Sequence, residues 1–214
     1  MCLVKNIEKY YNNGWGLSKV CFLMLEKILN NFESPNIIEF GSGVSTEFFV
    51  DYLNETNKLS GKIYSFDNDI EYSSKIDDVK LELNVVDLVE CNDISFNIMF
   101  KMKRYDKKLM IIRSETPNTR QKNCFYNITE ANLPDYCDVC VLDGPHGNGR
   151  SISFLHLKNK LKSGSYVIID DYTHYDFSDK FRLIFPKSDL VFESKSGKLN
   201  QWELGGDFRI YKIL

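Results

Sequence analysis

The sequence predicts an α/β domain built on a doubly wound, mostly parallel sheet that closes with a C-terminal antiparallel hairpin. Three observations carry this prediction. Short apolar runs that end in an acid alternate with stretches of helical periodicity along the chain. The first such run, Asn36 to Phe40, turns through Gly41, Ser42 and Gly43 directly into a helical pattern. The last two runs, Asp189 to Lys195 and Phe208 to Ile213, are joined by Gly197, Gly205 and Gly206 with no helix between them. Strands separated by helices join by right-handed crossovers into a parallel sheet with both faces covered, whereas adjacent strands without a helix pair antiparallel.

The elements follow in order. Gly16 to Asn30 is apolar at helical spacing and reads as a leading helix, making residues 1–34 an N-terminal helical cover. Asn36 to Phe40 is the first strand and Ser45 to Lys58 the first crossover helix. Lys62 to Asp67 is a second strand ending in an acid that Asn68 and Asp69 turn away. Leu81 to Leu88 reads as a third strand with Asp87 near its end. Tyr136 to Asp143 is a further β-rich run, stopped by Gly144 and Pro145. Ser151 to Lys162 has a helical pattern that Ser163, Gly164 and Ser165 end, and Tyr166 to Asp170 is a nearly unbroken apolar strand. Residues 89–135 are long for a connection and read as an insertion over the active-site rim, with Leu109 to Ile112 a strand candidate.

Composition narrows the class. A chain of 214 residues, 43% hydrophobic and 27% charged, is one domain with room for a full sheet-and-helix core. A net charge of −3 argues against a nucleic-acid grip, so the basic run Lys101, Lys103, Arg104, Lys107 and Lys108 reads as a solvated face. No apolar run approaches the ~20 residues of a membrane span, and the first residues carry charge too early for a secretion signal. The six cysteines are scattered, which predicts reduced, buried thiols in a cytoplasmic protein. Cys137 and Cys140 sit three apart in a strand pattern, which predicts opposite faces and a structural role. Asn-x-Thr triplets at Asn54 and Asn127 carry no meaning without secretion.

The turn at Glu39, Gly41, Ser42 and Gly43 places bare backbone N–H groups and a carboxylate at one rim of the sheet, a geometry that suits a nucleotide-like cofactor. The third glycine of a dinucleotide fingerprint is missing, because Val44, Ser45 and Thr46 follow. Taken with Asp67, with Val141 to Pro145 and with the run Leu161 to Asp170, the pattern resembles the class I S-adenosylmethionine-dependent methyltransferases, over roughly residues 35–214. That resemblance implies a Rossmann-like, seven-stranded sheet with S-adenosylmethionine at the first turn. Glu39 and the backbone from Gly41 to Gly43 would face its methionine part, Asp67 would accept the ribose hydroxyls, and Asp87 is a candidate for the adenine amino group. Adenosylmethionine has no pyrophosphate, so the third glycine is dispensable.

The sharpest constellation is Asp143 and His146 with Asp170 and Asp171. Asp143 and Asp170 end two strands expected to be neighbours, about 4.8 Å apart, so three carboxylates converge beside the cofactor. Oxygen ligands without cysteine favour a hard cation such as Mg²⁺, Mn²⁺ or Ca²⁺. In the catechol-type O-methyltransferases a similar acid set holds a divalent metal, with an acid-amide pair where this chain has Asp170 and Asp171. Those enzymes carry a lysine base where this chain has His146; an imidazole is suited to take a proton from an acceptor hydroxyl. His174 lies on the same rim and competes for that role, while His156, between Leu155 and Leu157, reads as packing. The loop from Asp143 to Arg150 also resembles that of glucuronoxylan O-methyltransferases, which implies that Arg150 contacts an acidic sugar; otherwise it is solvated at a helix start. Tyr172, Tyr175, Trp15 and Phe177 are candidates to line an aromatic acceptor pocket.

The reading is therefore an O-methyltransferase acting on a small-molecule or saccharide hydroxyl. Two other functions compete. An NAD-dependent oxidoreductase would need a third glycine and a Tyr-x-x-x-Lys pair, and neither is present. A non-catalytic module would keep the fold and bind only.

Overall fold

The protein is described from a computed structural model, which covers residues 7–11, 16–73, 77–112, 123–174, 177–195 and 206–214. Cys2, Trp15, Tyr175, Gly197 and Gly205 lie outside the described residues.

The main sheet has seven strands: β1 (Asn36–Phe40), β2 (Lys62–Asp67), β3 (Leu81–Val85), β7 (Cys137–Leu142), β8 (Leu161–Asp170), β9 (Ser188–Ser194) and β10 (Phe208–Ile213). Their order is β3-β2-β1-β7-β8-β10-β9. In that order β3, β2, β1, β7 and β8 pair in parallel, and β10 runs antiparallel to both β8 and β9. The expected doubly wound sheet with a terminal hairpin is the observed one. Its order reverses between β1 and β7, so the carboxyl ends of those strands open the crevice where such sheets bind ligands.

Side-chain alternation divides the core into two layers. Ile37, Ile63, Val139, Val141 and Ile168 face α1 (Lys19–Leu29) and α2 (Val44–Glu55). Ile38, Phe40, Phe66, Leu142 and Ile169 face the opposite side, with Phe96, Met99 and Phe100 of α4 (Asp93–Met102), Phe154 of α5 (Ser153–Leu157) and Phe181 of α6 (Phe177–Ile184). A four-residue helix, α3 (Ile70–Ser73), follows β2. The leading helix starts at Lys19 rather than Gly16, because the Ser18 side chain accepts the Cys21 N–H and fixes the first turn. Its buried Cys21, Phe22, Leu25 and Leu29 form one stripe against the sheet.

Five expectations change. The run Leu81 to Leu88 is two strands. Val86 N–H donates to Asp67 O, closing the parallel ladder, and the Asn127 N–H donates to Asp87 O, opening a second sheet. That sheet is antiparallel, ordered β5-β4-β6 from β4 (Leu88–Cys91), β5 (Ile111–Ile112) and β6 (Asn123–Tyr126), and with α4 it occupies much of residues 89–135. The strand expected from Leu109 is only Ile111–Ile112, since residues 107–109 form a 3₁₀ turn capped by Asp106.

The Ser151 to Lys162 helix is shorter, a 3₁₀ turn at Asn148–Ile152 followed by α5. Strand β8 already begins at Leu161, with Ser163, Gly164 and Ser165 inside it. Gly164 takes φ +94°, and the Ser165 hydroxyl donates to Cys137 O while accepting the Lys162 N–H. The same irregularity shifts the β7–β8 register between Cys137 and Val139. Cys137 consequently joins Cys140 in one core layer instead of facing the other way. Both are buried free thiols.

Candidate active site

Glu39 and Ile37 share the β1 face that meets α2, so Glu39 points at the helix that follows the glycine turn. It is fully buried. Its Oε2 accepts the hydroxyls of Thr46 at 2.5 Å and of Ser65 at 2.7 Å. Ser65 is its register partner on β2. Thr46 Oγ1 also accepts the Gly43 N–H at 3.0 Å. The Ser42 and Ser65 hydroxyls lie 2.6 Å apart; since Ser65 donates to Glu39, Ser42 donates to Ser65. Glu39 Oε1 is buried and makes no hydrogen bond among the described residues. Burial raises the Glu39 carboxyl to about 7, the hydroxyls of Ser45, Thr46 and Ser65 oppose that, and the charge of Asp143 adds to it.

Asp67 at the end of β2 holds the turn from the other side. Its Oδ2 accepts the Ser42 N–H and its Oδ1 the Asp69 N–H, each at 2.8 Å. Burial pushes this carboxyl above its ordinary value, against the pull of those amides. Gly41 is needed as glycine. Its φ is +99°, and an added Cβ would lie 2.7 Å from Gly144 N. Around Gly43, by contrast, an added Cβ meets nothing within 4 Å. A recessed carboxylate with one unpartnered oxygen, a second carboxylate anchored by backbone amides, and open space over Gly43 fit a ligand that carries both ammonium and hydroxyl groups. Asp87 is exposed, and its carbonyl is tied to the second sheet.

The second half of the rim begins one residue beyond β7. Leu142 pairs with Ile169, so Asp143 and Asp170 stand at one level on adjacent strands. Asp171 follows with φ +55°, a left-handed turn that aspartate tolerates. One carboxylate oxygen from each of Asp143, Asp170 and Asp171 lies within 4.8 Å of the others. Burial, with the Asp143 and Asp171 charges adding to it, drives Asp170 well above the ordinary carboxylate range. Asp143 is raised by burial and by Asp171, while Arg150 and His146 favour its ionised form. Three such groups need a proton or a cation to share the space.

Both candidate histidines flank this cluster. His146 is exposed on the loop that starts at Asp143. His174 is exposed as well, its Nδ1 3.7 Å from Asp171 Oδ1. The structure thus brings Asp143, Asp170, Asp171, His146 and His174 to one place, with Glu39, Gly41, Ser42, Gly43 and Asp67 on the adjoining turn. The two halves touch directly, for Phe40 O accepts the N–H groups of both Asp143 and Gly144.

Arg150 is neither solvated nor available to an acidic sugar. It is fully buried, donating from Nε to Pro145 O at 3.1 Å, from Nη1 to Asp170 O at 2.9 Å and from Nη2 to Asp143 O at 2.6 Å. Phe177 is buried beneath that guanidinium, and Tyr172 lies under the guanidinium of Arg209 at 4.0 Å, so neither offers an open ring to an acceptor. His156 is packed against Tyr105 and Phe125. Sequence reading missed Thr46 and Ser65 as partners of Glu39, although a lone serine in the apolar run Ile63 to Phe66 was a visible signal. It also missed Tyr126, whose hydroxyl would lie 2.5 Å from a Cβ placed on Gly144.

Residues 38–172 match the family described as "Methyltransferase domain", well over half of the chain and a span from beside Glu39 to just past Asp171. The chain belongs to the methyltransferase-domain family. Its sheet is that of the class I, S-adenosylmethionine-dependent methyltransferases. An O-methyltransferase from Bacillus cereus, solved in complex with SAH, has a TM-score of 0.55 at 11% identity over 97% of this chain and 90% of its own. MycE, a methyltransferase from the mycinamycin biosynthetic pathway solved with Mg, SAH and mycinamycin VI, has a TM-score of 0.52 at 12% identity. That likeness covers 99% of this chain and 54% of MycE, so the chain spans about half of MycE. At such identities the likeness is one of fold. Among curated proteins none matches the sequence. In this methyltransferase both halves of the rim except His174 fall inside the matched span. No helix among its described residues is long and apolar enough to cross a membrane.

Proposed function

We propose that this methyltransferase transfers a methyl group from S-adenosylmethionine to a hydroxyl of a small molecule or saccharide, with His146 as the general base. The observation that carries the reading is the convergence of Asp143, Asp170 and Asp171 within 4.8 Å, beside His146 and against the glycine turn. Adenosylmethionine supplies the electrophilic methyl group when bound. Glu39, beneath the turn, attracts its ammonium and sulfonium charges, and Asp67 keeps lone pairs free for ribose hydroxyls. Asp143, Asp170 and Asp171 are an all-oxygen set suited to a divalent cation such as Mg²⁺ or Mn²⁺, and MycE, solved with Mg and SAH, supports that pairing on the same fold. His146, exposed on the loop after β7, takes the hydroxyl proton, while the rim supplies alignment.

Calorimetry with S-adenosylhomocysteine tests the donor site, and a screen of catechols and saccharides with methyl-labelled donor tests the transfer. His146→Ala should remove transfer and leave adenosylhomocysteine affinity nearly unchanged. Full activity in that variant would move the base to His174. Activity insensitive to EDTA would remove the cation, and folded protein that binds no adenosylhomocysteine would overturn the reading as a whole.

A further inference from the structure

We propose that Arg150 is the positioning residue of the acidic rim, holding Asp143, Asp170 and Asp171 at the spacing a divalent cation requires. This rests on the cation reading above. The guanidinium donates to the carbonyls of Asp143 and Asp170, the two residues whose side chains form the core of the cluster, and to Pro145 in the loop that carries His146. Its Nη2 also stands 4.0 Å from Asp171 Oδ2. A single planar fork therefore spans the loop after β7, the end of β8 and the turn that follows. A lysine has one point charge and cannot reach three carbonyls in a plane.

Packing alone does not account for such a residue. Arg150 is fully buried, and burying a charge whose nearest carboxylate oxygen, that of Asp171, stands 4.0 Å away is costly where an apolar side chain of similar volume would serve. The charge has a use here. Around a bound cation, three ionised carboxylates beside one guanidinium would carry two net negative charges, the complement of a divalent ion. Because its hydrogen bonds run to main-chain carbonyls, the guanidinium takes up no carboxylate oxygen of Asp143 or Asp170 by hydrogen bond. Arg150 therefore acts as an outer support, the kind of partner whose loss lowers metal affinity roughly 10–100-fold.

The test uses Arg150→Lys and Arg150→Gln in the full chain, with Mn²⁺ binding followed by electron paramagnetic resonance and adenosylhomocysteine binding by calorimetry. The expected result is folded protein with Mn²⁺ affinity down roughly 10–100-fold, a smaller change in adenosylhomocysteine affinity, and Lys no better than Gln. Wild-type Mn²⁺ affinity in either folded variant overturns the proposal. Failure of both variants to fold also overturns it, since it makes Arg150 a core residue only. If the wild type binds no Mn²⁺, the cation reading fails, and crystal structures decide the positioning role separately. Carboxylates of Asp143, Asp170 and Asp171 still within 4.8 Å in Arg150→Gln refute it, and their separation supports it.

Discussion

Glu39→Gln should stabilise the apo protein at neutral pH while weakening its grip on the methyl donor. In the unfolded chain the Glu39 carboxyl titrates at 4.5, and in the folded protein burial raises it to about 7. Between those values the folded state binds more protons than the unfolded state. Stability therefore falls as pH rises across that window and levels off above it. A shift of about 2.5 units, at about 1.36 kcal/mol per unit, amounts to about 3 kcal/mol. Glutamine mimics the protonated acid: its carbonyl oxygen can take the hydroxyls of Thr46 and Ser65, and its amide replaces Oε1, which makes no hydrogen bond among the described residues. Urea titrations followed by circular dichroism, from about pH 4 to about pH 8, should show the variant gaining about 3 kcal/mol on the wild type. The other raised acids are common to both proteins and cancel in the difference. Adenosylmethionine affinity should fall by about 1–3 kcal/mol as the buried charge is lost. Two stability curves that run parallel across the whole range would refute the reasoning.

Three further substitutions probe the rim. Asp67→Asn loses one acceptor of the Ser42 or Asp69 N–H as well as charge, and calorimetry should show adenosylhomocysteine binding weakened by about 1–3 kcal/mol. Gly43→Ala should fold as the wild type does, because its Cβ meets nothing within 4 Å, yet weaken adenosylhomocysteine binding by occupying that space. Gly149→Ala does the reverse. Its Cβ would lie 2.0 Å from the Cys124 carbonyl oxygen and 2.3 Å from its nitrogen, so the loop and β6 must separate, with a thermal-denaturation loss of about 3 kcal/mol or more.

The strand-end acids were legible because local chemistry alone specifies them. A short apolar run from Asn36 to Phe40, a turn of glycines and a following helical pattern leave Glu39, Gly41 and Gly43 few places to go. Asp143 and Asp170 followed from strand adjacency, since parallel neighbours end at one level. Other features depend on partners far away in sequence. Leu161 and Lys162 extend β8 because Ser165 and Cys137 build an irregular pairing across 28 residues, and no window of sequence contains both. Arg150 looked solvated because charge in a loop usually is; its burial depends on carbonyls of Asp143, Pro145 and Asp170 that only the fold assembles. The break at Val86 and Asp87 was hidden for a related reason. A strand that leaves one sheet for another keeps its β pattern throughout.

Similar long-range contacts tie the glycine turn after β1 to the loop after β7. Phe40 O, the last carbonyl of β1, receives Asp143 N–H at 2.9 Å and Gly144 N–H at 2.6 Å, while Gly41 N–H donates to Phe66 O at 2.9 Å. Strands β2, β1 and β7 are thus stitched across the very residues where their side chains diverge toward ligand. Gly41 and Gly144 must both lack a Cβ for their backbones to approach this closely. Arg150 then joins the same loop to the end of β8. A displacement of the turn is transmitted to Asp143 through two main-chain hydrogen bonds, and a displacement of Asp143 to Asp170 through one guanidinium. The proposed in-line displacement needs donor and acceptor aligned, and these links would serve that alignment. It also predicts where tolerance ends. Substitutions on the exposed side of α4 leave these links untouched, whereas any side chain at Gly41 or Gly144 forces the glycine turn and the loop after β7 apart.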